Sequence, residues 1–161
     1  MPIIQSEIKL FSTTNGLGGA ITANEILSAS LHNVFNKVNS NDALLGKTYY
    51  KCLYVKNTNA AITLEAAKAY IATNTPSATT SMEIGLGTAA INFSEQLIAN
   101  ETTAPIGVIF TALTGVANAV SIGNLANGSY KAIWLKLEVG AGTIAANADG
   151  ATIEITGDTG A

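Results

Sequence analysis

Short runs of alternating apolar and polar residues, separated by clusters of Gly, Asn, Ser and Thr, set the pattern of this chain. A period of two puts successive side chains on opposite faces of a strand. The clearest case is 47–57 (KTYYKCLYVKN), where Tyr50, Cys52 and Tyr54 share one face and Tyr49, Lys51, Leu53 and Val55 the other. Residues 129–139 repeat it, with Ile133, Leu135, Leu137 and Val139 opposed to Tyr130, Trp134, Lys136 and Glu138. Further strands are expected at 7–11, 82–86, 106–110, 120–122 and 152–156, the last with Ile153 and Ile155 inward. Residues 62–71 (ITLEAAKAYI) carry helix-favouring Ala and Glu, but the run is short and follows a turn at 58–61, so it reads as a strand. Short extended pieces are expected at 89–93 and 96–99. Loops are expected at 12–20, 40–46, 73–81 (pinned by Pro76), 111–119 and 140–150. Leu31, Val34, Phe35 and Val38 fit either a helical turn or an irregular strand, and their spacing does not arbitrate.

Eight or nine short strands at this spacing, without helical patterns between them, predict an all-β antiparallel β-sandwich of jelly-roll or immunoglobulin-like type. No linker and no fixed-period repeat divides the chain, so 1–161 reads as one domain. Residues 1–23, a short strand followed by a Gly-rich loop, read as an extended N-terminal arm able to pair with a neighbour's sheet edge.

Composition sharpens this picture. Hydrophobic residues make up 48%, enough to fold, yet charged residues only 12%, about half the usual share of roughly 25%. All eight cations are Lys, they are scattered, and the net charge is −3, which argues against a nucleic-acid partner. The remaining polarity comes from Asn, Thr and Ser, which cost less to desolvate than Lys or Glu. Such an exterior suits a protein covered by its neighbours. No apolar run reaches the roughly 18 residues of a membrane helix and no signal peptide opens the chain, so no membrane partner and assembly in a cytoplasm are expected.

Candidate chemistry is thin. His32 is the only histidine and has Asp42 nearby in sequence, but no nucleophile motif accompanies them. Cys52 is alone, which excludes an intrachain disulfide, and mid-strand it reads as a small core residue. Asn147, Asp149 and Asp158 offer oxygen ligands for Ca²⁺ without a regular spacing. The glycine strings 16–19 and 85–87 lack the Lys-Ser/Thr that grips phosphate and read as tight turns. Glu83, Glu95 and Glu101 are the carboxylates a glycan-cleaving enzyme would draw on. Tyr49, Tyr50, Tyr54, Tyr70, Tyr130 and Trp134 would supply a sugar-stacking platform, though alternating Tyr more often edge a core or an interface. The expectation is a protein without enzyme activity or cofactor. Its candidate interface residues are Leu10, Phe11, Leu17, Tyr49, Tyr130 and Trp134.

Several stretches in order carry a resemblance. They are 8–12 (IKLFS) with 16–21 (GLGGAI), 31–35 (LHNVF) with Val38, 50–57 (YKCLYVKN), 74–77 (NTPS), 99–105 (ANETTAP) and 128–136 (GSYKAIWLK). Together they resemble small β-sandwich structural proteins of tailed bacteriophages, over nearly the whole chain. The resemblance implies a virion component, first a capsid decoration or cement protein. Its partners would be the major capsid protein and copies of itself, as a trimer or other homo-oligomer. A tail or baseplate position is the second choice, and a glycan- or receptor-binding module the alternative. Leu137-Glu138 departs from the basic residues that such proteins often carry after the Trp-containing strand start.

Overall fold

The computed structural model describes residues 3–28, 30, 32–145 and 149–159; Leu31, Asn147 and the first two residues of the expected arm lie outside them. Nine strands are described: β1 (Ile8–Thr13), β2 (Ile21–Glu25), β3 (Lys47–Asn57), β4 (Leu64–Thr73), β5 (Thr80–Leu86), β6 (Phe110–Thr111), β7 (Val120–Leu125), β8 (Tyr130–Val139) and β9 (Thr152–Thr159). They form a six-stranded sheet ordered β2-β1-β3-β8-β5-β6 and a three-stranded sheet ordered β7-β4-β9. All strand pairs are antiparallel. The fold is therefore an all-β sandwich, divided six and three rather than four and three as in an immunoglobulin constant domain.

The main core lies between the sheets. Leu53 and Val55 of β3, Ile133 and Leu135 of β8, and Met82 and Ile84 of β5 meet Leu64, Ala67, Ala69 and Ile71 of β4 with Ile122 and Leu125 of β7. On β4, strict alternation would send either Leu64 or the 67–71 set outward. A bulge at Ala66 (φ 47°) removes the conflict, and the Asn124 side chain accepts its backbone N–H at 2.9 Å. Ile153 and Ile155, expected inward on β9, pack on this core.

The opposite face of β3 and β8 is also buried. Cys52, Tyr54, Ala132 and Trp134 form a second core with Ile98, edged by Phe11, Leu17, Ile21, Val108 and Phe110. Its cover is the connection 87–109. The extended pieces expected at 89–93 and 96–99 are absent there, apart from one bridge between Glu95 and Gly19. The strand expected at 106–110 shrinks to β6, because Gly107 (φ 74°) turns the chain first.

Two further expectations are corrected. Residues 40–46 hold a short helix, α1 (Ser40–Leu45), because Asn39 caps it by accepting the Asp42 N–H at 2.9 Å. The 1–23 segment is not a free arm over its strands. β1 runs beside β3 from Ile8↔Asn57 to Ser12↔Leu53, with β2 on its other side. Residues 32–38, left open between helix and strand, are irregular; His32 takes φ 55°, and Val34 and Phe35 pack on the main core.

Candidate interaction surface

A connection as long as 87–109 without strands is uncommon in a compact domain, and such loops commonly carry function. Here it is locked down at several points. Gly19 N–H donates to Glu95 O at 3.0 Å and Ile98 N–H to Leu17 O at 3.0 Å. The Tyr54 hydroxyl donates to Gly19 O at 2.6 Å and accepts from Glu95 N–H at 2.8 Å. Asn92, in the left-handed region, exchanges hydrogen bonds with the start of β8: its N–H reaches Tyr130 O at 2.9 Å, and its side-chain oxygen takes Tyr130 N–H at 3.0 Å. Gln96 clamps Ile106 in the same reciprocal way, at 2.7 and 2.8 Å.

Glu95 is the centre of this lock. Its carboxylate is enclosed and accepts from Thr88 Oγ1 at 2.9 Å, Ala89 N–H at 3.0 Å and Gln96 N–H at 3.2 Å. Burial alone would raise its pKa, but the hydrogen bonds from Ala89, Thr88 and Gln96 outweigh burial and hold it below the ordinary 4.5. Lys131 Nζ, its own pKa lowered by burial against the pull of Glu95, donates to Ala89 O. Space for the lock comes from glycines. A Cβ at Gly18 would lie 1.8 Å from Gln96 O, and one at Gly87 2.3 Å from Glu95 Oε2. A Cβ at Gly85 would meet Val108 Cγ1 at 2.5 Å. Gly16, Gly18 and Gly19 do turn the chain, at positive φ, whereas Gly85 lies within β5, which corrects the reading of 85–87 as a tight turn; Gly18, Gly85 and Gly87 also mark where the loop crosses the sheet.

The loop presents apolar side chains outward. Phe93, Leu97, Ile106 and Ile109 are 66%, 74%, 84% and 86% exposed. Summed over the four side chains, an apolar area on the order of 400–600 Å² stays uncovered on this one loop. A second group sits at one end of the sandwich. Leu44 and Leu45 of α1 and Ile144 are exposed, and hydrogen bonds from Gly142 to Leu44 and from Thr143 to Ala43 hold the two segments together.

The residues chosen from sequence sit elsewhere. Trp134 is 0% exposed in the second core, so it supplies neither an interface nor a sugar platform. Tyr49 is buried and donates to Asp42 Oδ2 at 2.5 Å; burial and this bond raise its pKa, and the Tyr49 bond holds the Asp42 carboxyl below its ordinary value. Leu10 packs on the main core, while Phe11, Leu17 and Tyr130 edge the second, half-buried. Tyr49, Tyr130 and Trp134 come from alternating strands, and here both faces of β3 and β8 are interior. The loop quartet has no periodicity to reveal it. Its one legible signal is the unbroken apolar run 105–109 (PIGVI) beside a turn.

The remaining candidate chemistry is dispersed. His32 lines an open groove of about 660 Å³ with Thr13, Asn33, Lys51, Asn100 and Glu101. In it, Lys51 pairs with Glu101 at 3.0 Å and donates to Asn15 O at 3.2 Å. Asp42 serves Tyr49 and Asn39. Glu83 pairs with Lys136 at 3.0 Å, so Glu83, Glu95 and Glu101 each have a separate partner. Cys52 is fully buried, and burial pushes its thiol well above the ordinary value. Asp149 ties Ser77 N–H and Thr80 Oγ1, at 3.2 and 2.5 Å, while Asp158 lies on β9. Among the described residues no three His, Cys, Asp or Glu side chains converge as a metal site, and no helix is long and apolar enough to cross a membrane. Comparisons with protein-family models, curated proteins and solved structures returned no match for this chain.

Proposed function

We propose that this chain is a structural component of a tailed-phage virion, a capsid decoration protein that attaches to the major capsid protein and to copies of itself. The observation that carries the reading is the exposed quartet Phe93, Leu97, Ile106 and Ile109, set on a loop that the Glu95 lock keeps rigid. A preorganised apolar surface loses little entropy on docking. Many copies then reinforce a shell although each contact is modest. The resemblance of the ordered motifs to phage structural proteins and the charge-poor exterior support the same reading. A sugar platform is the weaker alternative, since it loses Trp134 to the interior.

The test is binding of purified protein to phage capsids stripped of decoration, read by co-sedimentation. Leu97→Ser with Ile109→Ser should abolish binding while leaving the circular-dichroism spectrum and melting midpoint unchanged. Retained binding would remove the quartet as the docking surface. Failure of the parent protein to bind any such capsid would remove the decoration role.

A further inference from the structure

Among the described residues four strand edges are unpaired, and three carry protection. β6 has two residues, β2 pairs irregularly with β1, and β7 carries a bulge at Gly123 (φ 89°). Short, bulged or irregular edges discourage pairing with other chains. β9 differs. It runs eight residues, and the irregularities of its pairing with β4 fall on β4: Glu65 to Lys68 takes three steps against two from Asp158 to Thr156. No described strand pairs with its outer side.

We propose that β9 is the self-association edge of this protein, pairing antiparallel with β9 of a second copy across a two-fold axis at Ile155. The charges select that register. Centring on Glu154 would oppose the two Glu154 side chains, and centring on Thr156 would oppose Glu154 to Asp158. Centring on Ile155 overlaps 152–158, sets Glu154 against Thr156 and sets Asp158 against Thr152. Lys68 lies beside Thr156 within one chain. The row across the new junction therefore reads Lys68, Thr156, then Glu154 of the second copy, with opposite charges flanking a threonine. Two three-stranded sheets become one of six. Ile153 and Ile155 stay on the core side in both copies. The inference rests on the self-association part of the proposed function and not on its virion part.

The experiment uses the full chain and reads dimerisation by sedimentation equilibrium, separately from capsid binding. An edge contact is a small interface, so a dimer is expected at high micromolar concentration. Thr152→Lys, which faces Asp158 twice per dimer, should tighten it about threefold or more, and Thr152→Asp should weaken it by a similar factor. A Glu154→Cys chain mixed with a Thr156→Cys chain should form a disulfide-linked dimer under mild oxidation, more than either chain alone. Cys52 is fully buried and stays out of the reaction. A protein that remains monomeric at concentrations on the order of 0.5 mM would overturn the proposal. So would a dimer indifferent to both charge variants, or mixed chains that link no better than single ones. Capsid binding without dimerisation would leave the decoration reading standing and remove this one.

Discussion

Replacing Glu95 by Ala tests the central physical claim, that one buried carboxylate organises the loop over the second core from within, by gathering donors from three points of the loop itself. The substitution removes the acceptor for Thr88 Oγ1, Ala89 N–H and Gln96 N–H, and it removes the negative charge nearest Lys131. Hydrogen bonds to a charged group contribute roughly 1.5–3 kcal/mol each, and buried donors left unpaired cost about 1–3 kcal/mol. Returning the carboxylate's desolvation cost offsets part of that sum. Glu95→Ala should therefore destabilise the fold by about 3 kcal/mol at pH 7. With a urea slope of about 2 kcal/mol/M for a chain of this size, the midpoint should fall by about 1.5 M. Trp134, the only tryptophan, is fully buried beneath this loop, so its fluorescence is the natural probe. The pH dependence gives a second reading. Because the folded-state pKa of Glu95 lies below 4.5, its charge contributes stability that is present above the unfolded value and is lost as pH falls through the folded one. The gap between parent and Glu95→Gln should accordingly narrow below about pH 4. A Glu95→Ala midpoint within 0.2 M or so of the parent at pH 7, or a Glu95→Gln gap that ignores acid, would refute the reasoning.

Other variants probe other joints. Gly18→Ala drives a methyl onto Gln96 O, whereas Gly115 has the same φ of 92° and open space around it. Gly115→Ala should cost about 1 kcal/mol and Gly18→Ala clearly more, measured by thermal denaturation. Asn57 is fully buried and its amide donates to Ile62 O at 2.8 Å and Leu125 O at 2.9 Å, so Asn57→Ala should cost about 2–4 kcal/mol in chemical denaturation. Trp134 Nε1 has no hydrogen-bond partner among the described residues. Trp134→Phe relieves that donor while opening space, and should cost under about 1.5 kcal/mol, against about 3–5 for Trp134→Ala, by calorimetry.

The two strongest strands were legible because alternation depends only on local geometry: β3 and β8 follow their patterns residue by residue, and β4 and β9 appear near their expected places. The same alternation divided β3 and β8 into the two faces that the two cores use, and gave the sandwich class. It could not say that the Tyr/Trp face of β8 is interior, because what covers that face is a strandless loop distant in sequence. Nor could it give the Ala66 bulge, which exists because Leu64 and Ala67 must face one core together. Asparagine shows the limit most clearly. By composition it reads as surface that is cheap to cover. In the fold, Asn39, Asn57, Asn92 and Asn124 stand in for backbone partners at a helix start, a buried turn, a loop dock and a bulge. A sequence fixes how each strand divides into faces, since that follows from bond geometry. Which faces meet water depends on distant segments arriving over them, and only the tertiary structure decides that.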